Sequence, residues 1–172
     1  MMCRPARLIR TILSTLLAFA PAAASADVSA SAVKAAYLYK IAAFVSWPQS
    51  SFSSPSAPFR ICVVGRDDIV RPLAQLANGQ RAWGHPVVVA RVGPGSNVSQ
   101  CQILFRGNAS VSISDSAPVL TVTDRGSDVS DGVIEFFVDG THVRFVVHRA
   151  QAERRKLDLS SKLLAVAASV SP

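Results

Sequence analysis

The sequence predicts an α/β fold: a single-domain sandwich with a mostly parallel central sheet and a C-terminal antiparallel hairpin, flanked by helices. Short, continuously apolar runs such as residues 59–64 are typical of strands covered on both faces, as in a parallel sheet. A helical pattern follows that first run, and such alternation is typical of α/β proteins. Near the end of the chain, two β-rich runs flank an Asp-Gly pair, which indicates a hairpin.

The first element, residues 1–26, is predicted to be a secretory signal peptide, so the mature domain would span residues 27–172. Its apolar middle is shorter than the roughly 20 residues that a membrane span needs. An uncleaved membrane anchor is the alternative interpretation. Arg4, Arg7 and Arg10 form its basic start. Residues 12–20 form its apolar middle, and Ala24-Ser25-Ala26 is the A-x-A cleavage site.

The charge of the mature chain is mild. The whole sequence carries +7 from 18 basic and 11 acidic residues, and three of the basic ones lie in the predicted signal, which leaves +4. That balance is typical of a soluble protein and not of a nucleic-acid-binding surface. We therefore expect no nucleic-acid partner. No segment after the signal is long and apolar enough to embed the chain in a membrane.

A first helix is predicted over residues 30–46, because apolar residues recur there at three- and four-residue steps. Lys34 and Lys40 lie off this stripe, and Trp47-Pro48 should end the helix. A Ser- and Pro-rich loop over residues 49–58 follows. The predicted stripe is Val33, Tyr37, Ile41, Phe44 and Val45.

A second helix is predicted over residues 67–77, after the strand at 59–64, with Asp67 as its N-cap. Its apolar stripe is Ile69, Val70, Leu73, Leu76 and Ala77. Three further strands are predicted at residues 86–92, 101–105 and 119–123, with a short helix near 108–114.

The C-terminal third is predicted to contain strands at residues 133–138 and 143–147, joined by a turn at Asp139-Gly140-Thr141-His142. A helical turn at 150–156 and a last helix at 160–169 should follow. Ser160 is the expected cap of that helix, with Leu163, Leu164 and Ala167 facing inward.

Two cysteines, Cys62 and Cys101, remain after Cys3 leaves with the signal. Export would place them in an oxidising compartment, where two thiols in one small domain are expected to form a disulfide. A bridge closing a loop of this size stabilises a fold by roughly 4 kcal/mol in the chain-entropy model.

Motifs for catalysis or metal binding are missing from the sequence. His85, His142 and His148 do not have metal-ligand spacing, and there is no G-x-S-x-G or C-x-x-C motif. We therefore expect no enzymatic activity, no cofactor and no metal. A hydrolase remains the least favoured alternative.

Aromatic and basic residues near the end of the first helix are candidates for binding a partner protein. Tyr39 and Lys40 lie off the predicted buried stripe, and Trp47 and Phe52 flank the following loop. Large aromatic and cationic residues dominate the energetics of protein interfaces. For Trp47, burial in the core is the alternative, because large aromatic residues usually bury.

Six segments in order resemble the YfiR-like family of periplasmic regulators. They are residues 34–48, 61–67, 101–105, 119–124, 132–136 and 157–164. The resemblance implies a periplasmic, non-enzymatic α/β protein, often dimeric, that represses an inner-membrane diguanylate cyclase by binding its periplasmic domain. Repression would lower cyclic di-GMP and biofilm formation. By the same resemblance, Cys62 and Cys101 match the family's disulfide positions.

The sequence departs from the family pattern at two places. Asp131 replaces the first of two glycines before the hairpin, and His148 replaces an asparagine after its second strand. A second interpretation remains open at this point: a periplasmic small-ligand sensor or solute-binding accessory protein, because α/β sheets often bind ligands at their strand ends.

Overall fold

An eight-stranded sheet organises the part of the chain that the computed structural model describes, which is residues 29–172 without residues 94, 108 and 110. The predicted signal peptide, residues 1–26, lies outside these residues. The helices are α1 (Ala30–Ile41), α2 (Asp67–Ala77), α3 (Arg149–Arg154) and α4 (Ser161–Val166). The strands are β1 (Val45–Ser46), β2 (Phe59–Val63), β3 (Arg81–Ala82), β4 (His85–Arg91), β5 (Ile103–Gly107), β6 (Leu120–Asp124), β7 (Ile134–Asp139), β8 (His142–His148), β9 (Asp158–Leu159) and β10 (Ser169–Ser171).

The strand order in the main sheet is β10-β8-β7-β6-β5-β2-β4-β3. The pairs between β4 and β7 are parallel, as is the pair of β10 with β8, whereas β7–β8 and β3–β4 are antiparallel. Strands β1 and β9 form a separate antiparallel pair. The predicted fold class, an α/β sandwich with a mostly parallel sheet and a C-terminal hairpin, is confirmed.

Successive residues of β2 and Val64, which follows it, point alternately to the two faces of the sheet, as the two-residue repeat of a strand requires. Ile61 and Val63 belong to the main core, which also contains residues of all four helices or their immediate flanks. Cys62 and Val64 belong to a smaller apolar cluster that the connecting segments cover. The main sheet is therefore buried on both sides, which explains why its central strands read as continuous apolar runs.

The first helix is shorter than predicted, and its buried face is different. It ends at Ile41 and continues as a 3-10 turn at Ala42–Phe44. Lys34, predicted to lie off the buried stripe, is 7% exposed, whereas Phe44, predicted to be in it, is 37% exposed. The reason is long-range: Lys34 has a carboxylate partner on β6, and the change of helix type at residue 42 turns Phe44 outward.

Helix α2 has the predicted bounds, but its N-cap is Arg66, and Asp67 lies in the first turn. No side-chain cap is made, so the cap prediction was wrong. The predicted turn between β7 and β8 is confirmed by the pairing of Asp139 with His142. Ser160 caps α4 as predicted, because its Oγ accepts a hydrogen bond from Leu163 N at 3.3 Å.

The last predicted helix, 160–169, also ends early, because Ser169–Ser171 joins the sheet as β10 beside β8. The helix predicted near 108–114 is not formed by residues 111–114, and residues 108 and 110 lie outside the described part. Among the residues that the structure describes, none of the helices has the length and apolar character needed to cross a bilayer.

Candidate partner-binding surface

A two-residue turn at the edge of the sheet presents an exposed tryptophan. Ala82 pairs with His85, so Trp83 and Gly84 form the turn between β3 and β4. Both have positive φ, 54° and 80°, as a type I′ turn requires. Gly84 adopts this conformation without cost, but a bulky residue such as Trp83 rarely does. Trp83 is 53% exposed to solvent.

Two hydrogen bonds join this turn and the segment before it to the end of α1, and a third closes the turn itself. The Nε1–H of Trp83 donates to the carbonyl oxygen of Ala42 at 2.9 Å. The guanidinium of Arg81 donates to the carbonyl oxygen of Gly84 across the turn. The hydroxyl of Tyr39 donates to Oε1 of Gln80 at 3.2 Å. The turn and the helix end therefore form one preorganised unit.

Between this turn and the helix end lies a shallow, mostly apolar groove of about 560 Å³. We call it the Trp83 surface. It is lined by Tyr39, Lys40, Ala42, Ala43, Phe44, Arg81, Ala82 and Trp83. Both charged members of this lining, Lys40 and Arg81, are cationic. Protein interfaces commonly combine an apolar centre with a polar rim, so this groove is a candidate for such a surface.

The four residues that the sequence suggested for partner binding are divided between two places. Tyr39 and Lys40 lie on the Trp83 surface. The ring of Trp47 instead packs edge-on against Phe59, with ring centroids 5.0 Å apart, and its Nε1–H donates to the carbonyl oxygen of Gln102 at 3.1 Å. Phe52 stacks on His85 at 4.0 Å. Trp47 is partly buried and packs against the core, as the alternative interpretation of this residue expects.

Sequence reasoning missed Trp83 as a site residue. The available signal was weak: a Trp-Gly pair shortly before the predicted strand at 86–92, where type I′ turns usually carry Asn-Gly or Asp-Gly. Strand β3 has only two residues, too few to show an alternating pattern. The exposure of Trp83 follows from this turn.

The crevice where α/β sheets often bind ligands is filled by the protein itself. From β2 the chain first adds β4 on one side of that strand and then adds β5 on its other side. The boundary between β2 and β5 is therefore a topological switch point. Arg66 follows β2 and lies over Gly107 at the end of β5. A Cβ added at Gly107 would lie 2.5 Å from Cγ of Arg66.

The charged groups in this crevice pair with one another. Asp124, at the end of β6, accepts from Lys34 Nζ at 2.6 Å and also from Nη1 of Arg66. Arg66 Nη2 binds Asp68 at 2.9 Å, and this guanidinium, helped by Ser31, holds the pKa of Asp68 well below its usual range. Two cations and two carboxylates thus balance at the place where a ligand would enter.

A second buried ionic cluster joins Asp131 to two arginines. Asp131 accepts from Arg106 Nη1 at 2.6 Å and from Arg155 Nη2 at 3.1 Å. Arg106 and Arg155 are 5% and 1% exposed, and burial lowers the pKa of Arg155 although Asp131 opposes that shift. Asp131 is one of the two departures from the family pattern, and it supplies the carboxylate that these buried guanidiniums need.

His148, the other departure, ties the last strand to the sheet. Its Nδ1 lies 2.7 Å from Oγ of Ser171, and its Nε2 lies 3.8 Å from Glu135, which accepts from Arg125 at 2.6 Å. The arrangement contains the residue types of a catalytic triad, but the distance from His148 to Glu135 exceeds a hydrogen bond. Within residues 29–172, the gaps aside, no three His, Cys, Asp or Glu side chains are grouped to hold a metal ion.

Cys62 and Cys101 are joined by a disulfide, with Cα atoms 5.9 Å apart. Both are nearly fully buried, in the smaller apolar cluster, to which none of the described helices contributes a residue. The bridge links β2 to the segment that enters β5, so it stabilises the centre of the sheet.

Fold and bridge place the chain among small, disulfide-bonded α/β proteins. It belongs to the YfiR/HmsC-like family (DUF4154), whose sequence pattern matches residues 31–168. Proteins of this family are periplasmic regulators and not enzymes, and membership is consistent with a regulator of diguanylate cyclases. No curated protein matches the chain.

Proposed function

We propose that this protein is exported to the periplasm, loses residues 1–26, and represses an inner-membrane diguanylate cyclase by binding that enzyme's periplasmic domain. Repression lowers cyclic di-GMP and biofilm formation. The family match over residues 31–168 carries this proposal. The disulfide between Cys62 and Cys101 supports export, because such bonds persist in oxidising compartments.

The proposed mechanism is a shift of a conformational equilibrium. A protein that binds only the inactive state of the cyclase moves the population toward that state by its differential affinity for the two states. The regulator needs no catalytic group for this, only a surface that recognises one conformation.

A small-ligand sensor is the competing function, and the filled crevice between β2 and β5 weighs against it. Arg66 occupies the position in which an α/β sheet usually receives a ligand, and its charge is already matched by Asp68 and Asp124. We expect a panel of periplasmic metabolites to leave the melting temperature unchanged. A specific, saturable rise would favour the sensor instead, because a ligand stabilises the state that it binds.

The deciding experiment measures cellular cyclic di-GMP in a strain without this protein, in its parent and in complemented strains. We expect a rise on deletion that the full-length gene reverses. A gene without residues 1–26 should not reverse it, because the product stays in the cytoplasm. An unchanged level on deletion, under conditions of normal expression, would overturn the proposal.

A further inference from the structure

We propose that the Trp83 surface is the docking site for the repressed partner, and that the partner presents an apolar segment flanked by carboxylates. The inference rests on the proposed function, since the partner is taken to be the periplasmic domain of the cyclase. It adds the location of the contact, its anchor residue and the chemistry of the opposing segment.

The backbone at Trp83 is the first argument. A side chain at φ 54° is strained, and asparagine before Gly84 would suit the turn far better. The residue at this position is nonetheless tryptophan, with 53% of its surface exposed. Strained residues cluster at functional sites, and tryptophan is enriched among the residues that contribute most to binding at protein interfaces.

The second argument is preorganisation. The hydrogen bond from Trp83 to Ala42 fixes the indole, and that from Tyr39 to Gln80 fixes the adjoining helix end. Phe44, 37% exposed, adds a second apolar ring to the same groove. Binding would therefore order few side chains, which reduces the entropic cost of association.

Charge selects the partner. Lys40 and Arg81 stand on the rim, and among the residues that the structure describes neither forms an ion pair. In a symmetric dimer through this surface, the two cations of each copy would face a surface that carries the same two cations. A second copy of this chain is thus a poor occupant. A segment with carboxylates around an apolar residue complements the surface.

The experiment expresses Trp83→Asn, Lys40→Glu and the control Val166→Asn in the deletion strain and measures cyclic di-GMP. Val166 is 71% exposed on α4, just before the strand at the opposite edge of the sheet. We expect Trp83→Asn to weaken partner binding roughly 10- to 100-fold and to lose repression. Its melting temperature should stay close to that of the wild type, because Asn-Gly suits the turn.

Lys40→Glu tests the charge argument without altering the turn, and it should also lose repression, whereas Val166→Asn should repress fully. If wild-type complementation fails, the proposed function fails and the docking proposal with it. If the wild type and Trp83→Asn repress equally, only the docking proposal is overturned. Sedimentation that shows a wild-type dimer dissociated by Trp83→Asn would assign the surface to a second copy and overturn the choice of partner.

Discussion

The aliphatic part of the Arg66 side chain packs against Gly107, in the space that a side chain at residue 107 would otherwise occupy. An added Cβ would come within 2.5 Å of Arg66 Cγ, and the φ of Gly107 is +53°. The far end of Arg66 is held by Asp68 and Asp124, so the stem has little freedom to move aside. Gly107 thus allows the arginine to fill the crevice between β2 and β5.

Gly107→Ala should therefore destabilise the protein by about 3 kcal/mol, from backbone strain together with the collision with Arg66. The matched control is Gly126→Ala, where φ is +80° but nothing lies within 4 Å of the added Cβ. That change should cost about 1 kcal/mol, from strain alone. Urea denaturation measures both, and equal losses would contradict the packing argument.

Asp124→Asn should destabilise the fold by about 3 kcal/mol, because it leaves the buried ammonium of Lys34 without its anionic partner. The control is Asp67→Asn, which removes an exposed pair with Arg91 at 3.1 Å. Exposed pairs contribute under about 1 kcal/mol, so this variant should be nearly neutral. Comparable losses of unfolding free energy in the two variants would show that the burial of Lys34 and Asp124 does not make their ion pair more stabilising than an exposed one.

Asp68 should make stability depend on acid pH. Its pKa is depressed by hydrogen bonds and charge from Arg66, with a further bond from Ser31. The stabilisation is therefore fully present above the unfolded pKa of about 3.9 and is lost as pH falls through the lower folded pKa. Half of the side chain is exposed, so we expect less than about 1 kcal/mol.

The measurement for Asp68 compares the unfolding free energy of the wild type with that of Asp68→Asn between pH 6 and pH 2. The advantage of the wild type should be constant down to about pH 4 and shrink below it, because protonated Asp68 no longer attracts Arg66. A difference that stays the same down to pH 2 would show that Asp68 does not contribute through its charge.

Removing the disulfide with Cys62→Ser and Cys101→Ser together should lower stability by about 4 kcal/mol, because the bridge restricts the unfolded chain. We also expect loss of repression in cells, since the bridge links β2 to the start of β5. Wild-type protein treated with a reductant should show the same loss of stability. Full repression by the double variant, exported at normal levels, would show that oxidation is not required.

Local patterns were sufficient for the elements that have enough residues to show one. The continuous apolar run of β2 indicated a buried strand, Asp139-Gly140 indicated the hairpin, and Ser160 indicated a helix start; the structure contains all three. Strands β3, β9 and β10 have only two or three residues, so no periodicity could reveal them. These short strands depend on backbone partners that the rest of the fold supplies.

The sequence by itself determined the α/β class, the hairpin and the membership of a family, because these depend on residue order and on the local conformations that it favours. Only the tertiary structure decided that Lys34 is buried, since its partner Asp124 is 90 residues away. It alone decided that Trp83 faces a groove, since that requires Ala42, 41 residues earlier in the chain. Such contacts depend on how the strands align in the sheet, and local sequence propensity does not determine that alignment.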